Sequence, residues 1–443
     1  MTLFQRLSHF DLSMIVISLV IGMGIFATPT TVASGVTNPF LYFGVWIFGG
    51  VISICGALTF AEIGARYPTI GGFYKTLSFC FHPALAFMIN WVLVISNAAS
   101  VAAVSIMGAS YIVPIIMPLS LQSNTGAQIV SICSVLILYF INLFGLKVGT
   151  RAQNILTLSK IFMILVICTA IFKTHAPVII NSVYLPPNHG SLYNIGKSLI
   201  AVFFTYGGYQ QTINFGGDSI NAKENLPKAI FGGMAVVIAL YLLINYAYYS
   251  SLGIAGIQHE HKLAAALAGL VFGTMGYKVF SLLMFISVLA FINVNILANP
   301  RIYHAMAEDG ILPARFKKVN PKSQVQEFGL SFFVAAILII LCFARSFEKL
   351  MTYVMFFDTI GLSVAAFCIF ILRRRMKSSD NTGIYTIGWY PLIPLIFIIT
   401  YLFITLFIFI ENPMATLICL CTFAIGLMIY FITKISRKPN SIS

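Results

Sequence analysis

Two glycine pairs sit inside apolar runs where a helix would be better off without them. Gly22 and Gly24 flank Met23 in "VIGMGIFATP", and Gly207 and Gly208 stand together in "FFTYGGYQQ". Each glycine weakens a helix interior by about 1 kcal/mol relative to alanine, and backbone groups freed in hydrocarbon find no water. The chemistry that such breaks offer is direct. Amides opening the second half-helix present N–H groups at the positive end of its dipole, and carbonyls closing the first half present their oxygens. Together they bind a carboxylate and an ammonium, the two backbone groups of an α-amino acid, without any charged side chain. Glycines also serve close helix packing, but GxG and GG lack the spacing of that motif.

Two ionisable residues also fall inside apolar runs. Lys160, in "NILTLSKIF", must be paired, solvated or drawn out to the interface along its alkyl stem. Asp358 is the carboxylate placed well inside a run; it reads as a proton carrier or as a paired structural group. In "QHEHK", His259, Glu260 and His261 lie close together on what reads as an outer loop, and no metal site is expected there. There is no HExxH, Walker loop, GxSxG or dinucleotide fingerprint, so neither a cofactor nor an enzymatic reaction is expected.

The elements that must position these residues follow from composition. The 443-residue chain is 59% hydrophobic and 9% charged, with a mean hydropathy of +0.95. Soluble domains carry about 25% charged residues, so the sequence predicts an integral membrane protein. Its apolar runs are continuous over about 20 residues and do not alternate, which predicts a helical bundle and not a barrel. Twelve spans are expected, near 12–33, 40–62, 84–113, 126–145, 154–172, 195–217, 229–252, 276–306, 328–344, 348–372, 389–410 and 413–433. The first follows a short segment with Arg6 as its only fixed positive charge, and "VAS" at 32–34 resembles a cleavage site. Its length favours a retained span over a signal peptide.

An even count puts both termini on one side. With that side cytoplasmic, only Lys173, Lys197, Lys262, Lys278, Arg345 and Lys349 fall outside or near the outer ends, among 26 Lys and Arg. The bias follows the positive-inside rule and explains the net charge of +14 without nucleic acid. The eight cysteines form no CxxC pair and read as small core residues. Spans 1 and 6 carry the two breaks, which sets up two halves over 12–173 and 195–373, with additional helices over 389–434. A matched pair of glycine-interrupted spans points to a transporter site between inverted repeats.

At these residues the sequence resembles the amino acid–polyamine–organocation transporter superfamily, in particular its L-type (LAT-like) amino acid transporters. "IGMGIFATP" is similar to the family's break in the first helix, and "FAEIGARYPTIGGFYKTL" at 60–77 to its signature after span 2. "FFTYGGYQQTINFGGDSINAKENLPKAI" at 203–230 resembles the sixth-helix pattern, and "RIYHAMAEDGILP" at 301–313 the loop after span 8. The four occur in the family's order and cover most of the chain. The resemblance implies an all-α membrane protein of LeuT-type fold, a 5+5 inverted repeat with discontinuous helices 1 and 6 plus two extra helices. One transporter domain over 1–443 is implied.

The resemblance also implies roles. Amides at Met23, Gly24 and Ile25, after Gly22, would receive the substrate carboxylate. Carbonyls near Ile21 and around Phe203, Phe204 and Tyr206 would receive its ammonium. Phe204 matches an aromatic lid, Gly207 and Gly208 match the unwinding residues, Tyr209 replaces a tryptophan, and Gln210 replaces an asparagine. Lys160 stands where sodium-independent members carry a lysine whose ammonium substitutes for sodium and bridges the first and eighth helices. Asn293, Asn295 and a carbonyl near Gly22 are its expected partners.

No carboxylate is expected in the pocket, and Phe203, Phe204, Tyr206 and Tyr209 make its wall aromatic. A neutral amino acid is therefore the expected substrate, moved by sodium-independent alternating access as exchange or secondary active transport. An amine or polyamine permease would need an acid in that pocket. A transporter-like nutrient sensor would add a signalling domain, and a channel would carry polar rings along a continuous pore. "MPLSLQSNTGAQ" at 117–128 lacks the cysteine that ties animal relatives to a heavy chain, so no such partner is expected. Self-association is left open. The expected setting is the lipid bilayer of the cytoplasmic membrane.

Overall fold

Ser8 starts the first helix. Its hydroxyl accepts from the Asp11 N–H at 3.2 Å, and the Asp11 carboxylate accepts from the Ser8 N–H at 3.0 Å, a reciprocal cap. Helix α1 then runs His9–Val20, stops, and resumes as α2, Gly24–Gly35. Asn38 caps α3 (Pro39–Arg66), whose first residue is a proline with no N–H to lose. The computed structural model describes residues 7–36, 38–172, 191–260, 262–343, 347–376 and 383–435. Lys173, His261 and Arg345 lie outside these residues, as does the end of the first expected half.

The remaining helices are α4 (Gly72–Cys80), α5 (Pro83–Ile116), α6 (Asn124–Leu143), α7 (Leu146–Cys168), α8 (Ser191–Tyr206), α9 (Ala222–His259) and α10 (Leu263–Glu308). They continue as α11 (Glu327–Phe343), α12 (Phe347–Arg375), α13 (Leu392–Glu411) and α14 (Pro413–Ile435). Among the described residues there is no sheet, only isolated bridges between Leu7 and Ser219 and between Ile70 and Phe215.

Among the described residues, nine helical segments are long and apolar enough to cross a membrane, α1 and α2 counting together. The other expected spans coincide with shorter helices. α8 stops after 16 residues, where Gly207 ends it, α11 has 17, and within α14 the apolar stretch is Thr416–Phe431. Beyond Gly208 the expected sixth span continues as 3₁₀ turns, Tyr209–Asn214 and Gly216–Asp218.

The connection expected near 253–275 carries helix instead up to His259 and again from Leu263. α9 bends at Gly253 and α10 at Gly273, both at positive φ. The part of α10 before its bend buries Leu263, Ala264 and Leu267. Gln258 Nε2 donates to the Ala33 carbonyl at 2.9 Å, and Thr30 Oγ1 to the Glu260 carbonyl at 2.9 Å. Apolar burial and these bonds together dock the segment over the end of α2.

The broken segments occupy the centre. α1 packs against α7 and α9, α2 against α8, α3 against α9, and α10 against α5 and α7. α12 lies against α5 and α13. Outer faces remain apolar, as on α13, where Ile399, Leu402, Phe403 and Leu406 are exposed; in a bilayer that face meets lipid. All eight cysteines are free thiols.

At the end of the bundle that holds Leu7, buried charge ties the helices together. Glu62 accepts from Arg66 Nε at 2.6 Å, from Arg373 Nε at 2.8 Å and Nη2 at 2.7 Å, and from the Ile387 N–H at 2.7 Å. Arg301 pairs with Asp218 and lies over the Phe215 ring. Leu7 exchanges main-chain bonds with Asp218 and Ile220 at 3.0 Å each. That end is closed by backbone and ion pairs.

Candidate functional site

The two breaks lie against each other. Gly208 has φ +117°, a conformation that side-chain-bearing residues avoid, and a β-carbon there would overlap the Leu19 carbonyl of α1. At Gly24 a β-carbon would stand 2.8 Å from Thr205 Oγ1. These close approaches are why glycine occupies both positions.

In the first break, the Gly22 N–H turns back to the Val20 carbonyl at 2.8 Å. α2 then opens without a side-chain cap. Among the described residues, no acceptor meets the N–H groups of Met23, Gly24 or Ile25. In the second break, the Gly207 N–H donates to the Phe204 carbonyl at 3.3 Å. The Phe203 carbonyl therefore loses the partner an unbroken helix would supply. The Gly208 N–H turns to Gln210 Oε1 at 2.9 Å. Tyr241 of α9 reaches both breaks: its hydroxyl lies 3.0 Å from the Val20 carbonyl and 3.2 Å from that of Thr205.

A cavity of about 60 Å³ opens beside these groups. Gly22, Met23 and Gly24 line it from the first break, and Phe203, Phe204, Gly207, Gly208 and Gln210 from the second. Asn295 and Asp358 line it too. Phe204 is half-buried at the wall, as a movable cover would be. Ile21, Ile25 and Tyr206 are buried away from the cavity. Tyr206 is packed between the rings of Trp46 and Tyr241 at 5.9 and 5.1 Å.

Lys160 is 1% exposed, so its ammonium does not reach out to an interface. It donates to the Ile21 carbonyl, and Ser18 Oγ lies 3.4 Å away. Ser18 in turn donates to the Ala290 carbonyl of α10 at 3.3 Å. The route from α7 through α1 to α10 thus runs by Ser18, not by the expected asparagines. Asn293 is held by Gly149, Gln153 and Asn142 at 2.6–3.2 Å, and Asn295 donates to the Phe291 carbonyl at 2.9 Å. The Ile21 carbonyl, expected to receive a ligand ammonium, already accepts from Lys160 and lies off the cavity.

Another expectation fails. A carboxylate does stand in the pocket, because Asp358 of α12 lines it. Its hydrogen-bond partner is Ser96 Oγ at a long 3.5 Å. Sequence reasoning also passed over α5, which brings Asn97 and Ser100 to the cavity. Asn97 accepts from Gln211 Nε2 at 3.1 Å and donates to Asn299 Oδ1 at 2.8 Å, tying three elements together. Its signal was present in "SNAAS", where Ser96, Asn97 and Ser100 interrupt an apolar run within about one turn.

Residues 7–433 match the amino acid permease family. The chain belongs to that family. Among relatives of this permease is the serine/threonine exchanger SteT of Bacillus subtilis (strain 168), 28% identical over 96% of each chain. The Asc-type amino acid transporter 1 of Mus musculus is 24% identical over 97% of this chain and 81% of the relative. The large neutral amino acids transporter small subunit 2 of Homo sapiens is 23% identical over 97% and 80%. The permease family and these relatives are transporters and not enzymes, and a multi-pass membrane protein follows from the family and the apolar helices together.

Proposed function

We propose that this chain carries an α-amino acid with a neutral side chain across the cytoplasmic membrane by sodium-independent alternating access, as exchange or secondary active transport. One observation carries the reading: the unspent amides of Met23, Gly24 and Ile25 sit where two helix breaks meet, and Met23 and Gly24 line the cavity. A substrate carboxylate binds there at the positive end of α2. The ammonium lies toward the second break, at the Phe203 carbonyl and beside Phe204, and not at Tyr206, which is buried away from the cavity. Phe204 covers the ligand, Gly22, Gly207 and Gly208 keep the breaks open, and the Gln210 amide faces the side chain.

Lys160 acts as a fixed cation in place of sodium, joining α1 to α10 through Ser18 instead of Asn293 or Asn295. Relatives whose names describe amino acid exchange and transport support the substrate class.

The packing supports a LeuT-type arrangement of two inverted halves, 12–173 and 195–373, with 389–434 added. α7 lies on α10 as α12 lies on α5, and α5 packs on α6 as α10 packs on α11. The first two contacts cross between the halves and the last two lie within them, each at matching positions. Twelve spans with both termini cytoplasmic complete the topology. The segment after α5 carries no cysteine for a disulfide-linked partner.

Asp358 in the cavity favours a second reading, an amine or polyamine permease, in which the carboxylate receives a substrate cation. Counterflow in proteoliposomes separates the two. Vesicles loaded with one compound and screened with the common amino acids and amines should respond to neutral amino acids equally in sodium and potassium media. A response to amines alone would establish the second reading, and a steep sodium requirement would remove the role given to Lys160.

A further inference from the structure

A second, smaller cavity of about 10 Å³, room for about one water, lies beside the first, on the side of Phe73, Asn214 and Ile302. The two share a wall made by Asn97, Gln210, Gln211, Asp358 and Leu362. Among the described residues, Asp358 is the only Asp, Glu, Lys, Arg or His that lines either space. Of the amides beside it, Asn97 donates to Asn299, Gln211 donates to Asn97, and Gln210 Oε1 accepts from Gly208, while Asn214 Nδ2 on the second cavity has no partner among the described residues. Among the described residues Asp358 has no ion-pair partner. It is a carboxylate in a partition, open to whichever space holds water.

We infer that Asp358 takes up and releases one proton in each transport cycle, between the substrate cavity and the cavity beyond it, and so couples substrate movement to a proton gradient. The inference rests on the reading of the chain as an amino acid transporter. A carboxylate oxygen of Asp358 accepts H⁺ from water in one cavity, forming an O–H bond and a neutral side chain. The same bond breaks when the proton passes to water on the other side. Substrate enters the balance through repulsion. Its carboxylate, at the amides of Met23 and Gly24, occupies the cavity that Asp358 lines, and an ionised Asp358 opposes it. Protonation removes that opposition, so each binding event favours the other.

The groups facing Asp358 leave it free to titrate alone. α13 contributes the Tyr401 phenol, which lines the first cavity with Asp358. α5 contributes Ser96 and Asn97, the 3₁₀ segment Gln210 and Gln211, and α10 Asn295 and Ile302. α4 contributes Phe73 and α8 contributes Phe203 and Phe204, while α3 and α14 place no Asp, Glu, Lys, Arg or His on either cavity. The buried cations Lys160 and Arg301 are held by other groups, Lys160 by Ile21 and Ser18 and Arg301 by Asp218.

The test uses the full chain in proteoliposomes and an amino acid that gives counterflow. An acid-outside gradient of one pH unit should sustain roughly a tenfold accumulation if one proton moves per substrate, abolished by a protonophore. Adding substrate to lightly buffered vesicles should alkalinise the medium. In Asp358→Asn the ratio of accumulation with and without the gradient should fall to unity and the pH profile of counterflow should flatten, while Asp358→Glu keeps the gradient response. Counterflow in the native protein without gradient response or proton movement overturns the inference alone. Absence of counterflow with every amino acid overturns the transport reading. Asp358→Asn with an intact gradient response but altered substrate choice makes Asp358 a specificity residue and overturns the proton role. If Asp358→Asn fails to insert, the proton movement of the native protein decides.

Discussion

The hydroxyls of Thr28 and Thr205 meet at 2.7 Å. That contact joins α2, the second half of one broken segment, to α8, the first half of the other. It brings the Gly24 backbone against Thr205, where a β-carbon would stand 3.0 Å from the Thr205 Cα. Gly24→Val forces the two segments apart, and overpacking of this kind costs about 1–3 kcal/mol. Uptake should drop by at least about tenfold while the amount recovered in the membrane fraction is unchanged. Transport at the native rate would remove Gly24 from the site.

Lys160 has a different dependence. Lys160→Ala leaves the Ile21 carbonyl without its donor, and a buried acceptor left unmet costs about 1–3 kcal/mol. Initial uptake rates should fall at least about tenfold in sodium and potassium media alike. An alanine variant that transports normally would reduce the lysine to a packing residue.

Glu62 tests the closed end of the bundle. Glu62→Gln strips the counter-charge from Arg66 and Arg373, and breaking a buried ion pair from one side costs about 3–5 kcal/mol. The thermal midpoint of the detergent-solubilised protein should fall by several degrees. Lys228→Gln, at an exposed pair with Glu224, should leave it unmoved. Equal effects at the two sites would mean that burial does not set the strength of the Glu62 network.

Asn97 and Asn299 should act as one unit. A double-mutant cycle with Asn97→Ala and Asn299→Ala, read as thermal stability, should return a coupling of about 0.6 kcal/mol, the size found for side-chain hydrogen bonds inside membrane proteins. Strictly additive losses would show that the 2.8 Å bond is not felt.

How far the site was legible depended on the kind of signal. Gly22, Gly24, Gly207 and Gly208 announce themselves because glycine in an apolar run has a backbone meaning that survives without knowledge of the fold. The same holds for Lys160, whose burial in hydrocarbon demands a partner. Which partner it takes is another matter. Ser18, and not Asn293 or Asn295, is set by the rotation of α1 and α10 about their axes, and nothing in a linear sequence records that angle. Asp358 was recognised as lying within a span but not as lining the cavity, for the same reason. The 3₁₀ turns after Gly208 and the helix within the connection between Gly253 and Gly273 were hidden because apolar windows report burial, not the hydrogen-bond pattern that meets it.

The Tyr241 hydroxyl carries a single proton yet stands within reach of two carbonyls, Val20 at the end of α1 and Thr205 near the end of α8. It can satisfy only one of them at a time. When the two segments move relative to each other, the phenol can hand its bond from one to the other without passing through an unbonded state. Separation of the breaks then exchanges one hydrogen bond for its equal. Tyr241 is thus the side chain that can stay bonded to one break while releasing the other.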